Sequence, residues 1–137
     1  MKKLILLLAV FALALTACGG KTAGAASITV TLSEFAFDPN SITVAAGTPV
    51  EITLVNDGAT GHDFVIEIIP VTDVSAEGGM DEHEMAAEHE EFDLHASVAA
   101  GGTGVLRFTP TAPGVYQIFC SVPGHQDAGM VAELIVQ

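Results

Sequence analysis

The sequence predicts an all-β domain, a β-sandwich of seven or eight short strands, and three observations carry that reading. Apolar residues recur at period two in several separate runs, turn-forming pairs built on Gly, Pro, Asn and Asp divide those runs, and no helical period shows outside residues 74–92. Composition agrees with a folded chain. Of 137 residues 50% are hydrophobic and 15% charged, which excludes a disordered tail and leaves room for about one domain.

The N-terminus reads as an address and not as part of the fold. Lys2 and Lys3 form a basic start, and Leu4 to Leu15 is an apolar run of 12 residues, short of the roughly 20 that a spanning helix needs. This is the pattern of a signal peptide over residues 1–17. The run ends in Leu15-Thr16-Ala17-Cys18, which resembles the lipobox of bacterial lipoproteins and implies lipidation of Cys18 after cleavage. The simpler alternative is an export signal cut near Ala17 that leaves an ordinary thiol. Residues 18–27 are small and mostly uncharged, as expected of a flexible tether, and the folded domain is expected over 28–137.

Along that domain the strands follow in order. Ile28, Val30 and Leu32 alternate with Thr29, Thr31 and Ser33; Val50, Ile52 and Leu54 alternate with Glu51 and Thr53; Phe64, Ile66 and Ile68 form a third buried face. After a polar interval, Thr103 to Phe108, Gly114 to Cys120 and Met130 to Val136 supply three more. Asp38-Pro39-Asn40, Ala46-Gly47, Asp57-Gly58 and Pro113-Gly114 serve as turns.

Charge narrows the function. The 17 acidic and 4 basic residues give a net charge of −13, and Lys2, Lys3, Lys21 and Arg107 form no basic stripe. A phosphate backbone would be repelled, so nucleic acid is not the partner. With no Trp and one Tyr there is no stacking platform for bases or sugars either.

Cysteine usage points to the chemistry. An exported protein meets an oxidising compartment where cysteines usually pair, yet with Cys18 assigned to lipid the remaining thiol is Cys120 alone. Cys120, His125 and Met130 stand five residues apart, at the end of one strand, in a turn, and at the start of the next. A loop joining adjacent strands brings its ends together, so these donors can converge. His62, at the head of its own strand, offers a fourth. Two His and one Cys with a weak axial Met is the donor set of electron-transfer copper, a compromise between the preferences of Cu(II) and Cu(I) that keeps rearrangement small. A single buried Cys or Met is more often plain core, and a Cys–His nucleophile pair is the enzymatic rival. No motif for an oxyanion hole accompanies that pair, and the reading is a non-enzyme.

The quoted segments also carry a resemblance. Phe35-Ala-Phe-Asp-Pro-Asn, Ile42 to Val50, Gly61-His-Asp-Phe-Val-Ile and Gly114 to Met130 closely resemble the small blue copper proteins, the cupredoxins, from about Ile28 to Gln137. The gaps on both sides of His125 are similar to those of the auracyanin and rusticyanin branch more than to plastocyanin. The resemblance implies a Greek-key sandwich, one type 1 copper, and His62, Cys120, His125 and Met130 as its ligands. The family commonly has an Asn after the first His that bonds the residue following the Cys. Here Asp63 faces Ser121, and an ionised Asp only accepts, so a backbone N–H or the Ser hydroxyl has to supply the proton.

A departure from that pattern is an acidic insertion at about 74–95. Residues 77–93 hold eight carboxylates and no basic residue, with Met80, His83, Met85 and His89 among them and His95 just beyond. A solvated excursion with room for a short helix is the plainest reading. An accessory metal site is a second, because Met85 and His89 would share a helix face. A surface steering a redox protein with a basic docking face, such as a cytochrome or oxidase, is the third. The sequence therefore leads to an exported, lipid-anchored carrier of electrons at the membrane face outside the cytoplasm, without a small-molecule substrate. A copper buffer or chaperone is the alternative, disfavoured because a strong Cu–thiolate bond slows release.

Overall fold

A computed structural model describes residues 24–79 and 92–137, and its ten strands form two five-stranded sheets. They are β1 (Ala26–Ser33), β2 (Ala36–Asp38), β3 (Ser41–Val44), β4 (Val50–Asn56), β5 (His62–Ile66), β6 (Val71–Glu77), β7 (Leu94–Val98), β8 (Thr103–Pro110), β9 (Gly114–Phe119) and β10 (Val131–Val136). One sheet runs β2-β1-β4-β8-β6 and the other β3-β10-β9-β5-β7. Pairing is antiparallel except for β1 with β4 and β3 with β10, where the chain crosses between sheets before pairing in parallel. The expected all-β sandwich is present.

Period two explains the layers. In β4 every second residue from Val50 to Asn56 is buried, and in β8 Leu106 and Phe108 face the same way while Arg107 faces solvent. From the opposing sheet Phe64, Ile66, Ile118, Leu134 and Val136 close the core. Each such side chain stabilises the fold by about 1.5–3 kcal/mol on burial. Phe37 of β2 meets Phe64 of β5 edge to face at 6.1 Å, joining the two sheets close to the end where β5 begins.

Four details differ from the sequence reading. β1 starts at Ala26, inside the stretch assigned to the tether. Ile68, expected in the core, is 74% exposed, because β5 ends at Ile66 and the chain leaves the sheet before Pro70; Ile69 is the buried residue instead. Residues 71–77, which include the start of the expected acidic excursion, form the edge strand β6. A register shift between Thr72 and Ser75, with Asp73 in the left-handed region at φ 57°, breaks its alternation, so no period showed. β7 was hidden because Leu94-His-Ala-Ser-Val reads as polar, yet His95 is buried in it.

Candidate metal centre

The entry to β5 is braced from beneath. Asn56, buried at the end of β4, donates through Nδ2 to the carbonyls of Thr60 (2.9 Å) and Val98 (2.8 Å), and its Oδ1 accepts from Gly58 N–H (2.9 Å). Two of these bonds brace the turn between β4 and β5, and the third ties it to Val98 at the end of β7. That turn delivers His62 as the first residue of β5, opposite Val98 of β7 and fully buried.

The second half of the centre grows from the β9–β10 hairpin. Phe119 pairs with Val131, so the next residues out, Cys120 and Met130, stand side by side, and Cys120 N–H donates to Met130 C=O at 3.2 Å. The loop closes on itself: His125 N–H donates to Val122 C=O (3.0 Å) and Met130 N–H to His125 C=O (3.0 Å). Gly124 and Gly129, at φ 85° and 103°, take the left-handed conformations that turn the chain on either side of His125.

These two halves meet. The donor atoms of His62, Cys120 and His125 lie within 4.8 Å of one another. Cys120 Sγ is 3.5 Å from His125 Nδ1 and 4.0 Å from His62 Nδ1, so both imidazoles present the same nitrogen to the sulfur. First-row metal bonds of about 2.0 Å to nitrogen and 2.3 Å to sulfur span donors at such separations. Met130 is fully buried at the same end. The donor types and spacing fit copper.

Alternation sends the neighbours of the ligands to the outer face of their sheet. Asp63 N–H donates to Cys120 Sγ at 3.3 Å, and its carboxylate accepts from Ser121 Oγ (2.5 Å) and Ser97 Oγ (2.7 Å). The Ser121 hydroxyl thus supplies the proton that Asp63 lacks. His95 Nε2 lies 3.2 Å from Ser97 Oγ and 4.0 Å from Asp63 Oδ1, and its ring meets Phe92 edge to face. Ser97, Asn56 and the buried His95 are site neighbours that sequence reasoning missed, since their roles come from pairing across strands far apart in the chain.

Burial sets the protonation states. Burial, then the neighbouring His125, holds the His62 imidazolium disfavoured, with Glu34 and Asp63 opposing. A neutral imidazole is the form that binds metal. Burial pushes the Cys120 thiol up despite the N–H groups of Asp63 and Val122, so metal binding has to displace its proton. Cys18 and the trio His83, Met85 and His89 lie outside the described residues.

The chain is similar to known proteins in sequence and in fold. The family model for a cupredoxin-like domain matches residues 3–136. Plastocyanin of Dryopteris crassirhizoma is 35% identical over 106 residues, 77% of this chain and 92% of that one. The copper-resistant cuproprotein CopI of Rubrivivax gelatinosus is 33% identical over 102 residues, 74% of this chain, and the chain spans 59% of that relative's length. Among solved structures, auracyanin A, a "blue" copper protein of Chloroflexus aurantiacus, aligns with a TM-score of 0.61 at 24% identity, over 83% of this chain and 100% of that one. The protein therefore belongs to the cupredoxin-like family, and its cofactor is a single type 1 copper.

Proposed function

We propose that the protein is an electron carrier outside the cytoplasm, holding its copper through His62, Cys120, His125 and Met130 and keeping it through each cycle. Bound there, copper supplies one-electron exchange between Cu(I) and Cu(II). The observation that carries the proposal is the framework around Cys120. Its N–H is tied to Met130, its sulfur receives Asp63 N–H, and the following Ser121 is tied to Asp63, so the ligand segment is held by bonds that do not depend on metal. A frame of this kind opposes rearrangement between oxidation states. His125 reaches the surface while His62 does not, which gives electrons one short exit. The buried, protonated thiol is a poor nucleophile, which supports a carrier over an enzyme.

The test is the visible spectrum of the copper-loaded protein. An intense thiolate-to-copper band that bleaches and returns with reductant and oxidant is expected, and Cys120→Ser abolishes it. A colourless protein that binds copper would reject the proposal.

The partner is proposed to be a redox protein with a basic docking face, such as a cytochrome or oxidase, drawn by the eight carboxylates of residues 77–93. Reaction with a cationic cytochrome is then fastest at low ionic strength and slows as salt screens charges beyond about 10 Å at 0.1 M; a salt-independent rate counts against steering. Lipid on Cys18 is proposed to anchor the domain to the cell membrane after removal of residues 1–17. The mature mass decides this, since a chain without acyl groups at Cys18 is unanchored.

Copper storage or delivery is a second reading, favoured by the 33% identity with a copper-resistant cuproprotein. Excess Cu(I) chelator separates the two. A carrier keeps its metal over many redox cycles, and a delivery protein surrenders it within the same time.

A further inference from the structure

His62 Nε2 is the one buried side-chain nitrogen or oxygen without a hydrogen-bond partner among the described residues. Its Nδ1 faces Cys120 Sγ, so with copper bound at Nδ1 the ring proton sits on Nε2, on the far side of the ring from the metal. A metal-bound imidazole normally gives this N–H to a carboxylate, a carbonyl or water, which fixes the tautomer and raises the donor strength of the other nitrogen.

The backbone at Gly58 shows which group stands nearby. A Cβ at this position would lie 2.7 Å from His62 Nε2, 3.1 Å from Asn56 Oδ1 and 3.1 Å from Glu34 Oε1. Three polar atoms from separate elements thus surround a point left open by the absence of a side chain. Of the three residues, Glu34 alone carries a charge. It sits in the turn between β1 and β2, and its Oε1 accepts from Ala59 N–H at 2.5 Å, which ties the carboxylate to the turn leading into β5. Glu34 Oε1 and His62 Nε2 are within about 6 Å, a range over which a carboxylate acts on a neighbouring ring.

We propose that Glu34 is a positioning residue for the copper centre. Its carboxylate is the fixed negative charge that compensates the His62 Nε2–H, holds the ring with Nδ1 toward the metal, and biases the centre toward Cu(II). The proposal rests on His62 being a copper ligand, as argued above. Backbone hydrogen bonds, from Ala59 first, together with the two histidines hold the Glu34 carboxyl below its ordinary value, so the charge is present at neutral pH.

Glu34→Gln in the full chain tests it, because the amide keeps an oxygen for Ala59 N–H and removes the charge. Wild type is first shown to have the visible band; without it the ligand assignment fails, independently of Glu34. The variant is expected to keep the band and one copper, since no ligand is altered. Its preference for Cu(II) over Cu(I) should fall about tenfold, read as a rise of about 59 mV in reduction potential. In the diamagnetic Cu(I) protein the His62 Nε2–H resonance should shift and exchange faster with water. Glu67→Gln, which removes an exposed carboxylate from the far end of β5, serves as the charge control and leaves both readouts unchanged. A Glu34→Gln potential equal to that of the control, or a Nε2–H signal unmoved, overturns the proposal, as does loss of the band in the variant.

Discussion

His62 and His125 carry the same side chain to the same centre and meet opposite conditions. His62 opens a strand, is fully buried, and follows a turn braced by Asn56 on three hydrogen bonds. His125 lies in a loop, is partly exposed, and has the edge of Phe35 against its ring at 5.4 Å and 85°; Phe35 itself is 47% exposed. In the proposed electron carrier the difference divides the labour: a ligand locked in the sandwich would keep the geometry constant, and a ligand at the rim would bring the centre close enough to another protein for exchange.

Removing the two rings should break that comparison most severely. His62→Gly leaves a cavity between packed strands, costing about 2–4 kcal/mol by analogy with other large-to-small changes in cores, whereas His125→Gly changes the stability of the metal-free protein by less than about 1 kcal/mol. Both variants lose the native visible band. Imidazole added to the solution should restore a charge-transfer band to His125→Gly, where the vacated position opens to water, and not to His62→Gly. Rescue of both to the same extent would mean that the two positions are equally accessible.

Asn56→Ala tests the brace itself. It strands the buried Val98 carbonyl along with Thr60 C=O and Gly58 N–H, so a loss of about 2 kcal/mol is expected in denaturant unfolding of the metal-free protein, with an unchanged m-value. A cost below about 0.5 kcal/mol would show that the turn into β5 holds without its side-chain bonds.

What could be read from sequence follows the same division. The hairpin half of the site was legible because Cys120, His125 and Met130 are close in the chain, and strand ends joined by a short loop come together by geometry alone. His62 was legible as the head of an alternating run. Its surroundings were not. Glu34 reaches the site from a turn 28 positions upstream of His62, Ser97 and His95 from a strand whose polar letters conceal it, and Gly58 reads as an ordinary turn residue although it lines the ring. Period two announces which residues face inward along one strand, but says nothing of which strands become neighbours. The bulge at Thr72–Ser75 erased even that signal for β6.

Stability against pH sharpens the contrast on the buried side. The folded chain disfavours the charged form of His62 through burial and the nearby His125, so as pH falls below about 6.5 the unfolded chain binds a proton that the folded one resists. Stability of the metal-free protein contributed by this group is full above that value and is lost as pH falls toward the depressed folded value. For Cys120 the sign reverses. Burial raises its thiol, so above about 8.5 the unfolded chain loses a proton that the folded chain retains, and stability declines. His62→Gln should flatten the acid limb of the stability curve measured by urea unfolding, and Cys120→Ala the alkaline limb. Limbs unchanged in these variants would place the linkage on other groups.

The smallest effect is expected at the rim. Phe35 holds its contact with His125 from a left-handed backbone conformation, φ 62°, which a bulky residue adopts only when its surroundings compel it. Phe35→Ala removes the ring and keeps the backbone cost; Phe35→Gly removes both. The Gly variant should therefore be more stable than the Ala variant by about 1 kcal/mol. Neither change replaces a ligand, so the visible band should stay in place. Both should slow electron self-exchange about two- to fivefold, less than about 1 kcal/mol of barrier, because water then reaches the His125 edge and apolar contact area is lost. Line broadening in mixtures of the oxidised and reduced protein measures this rate. A rate equal to wild type would move the exit for electrons away from the Phe35 side of His125, and a shifted band would make Phe35 part of what shapes the ligand set.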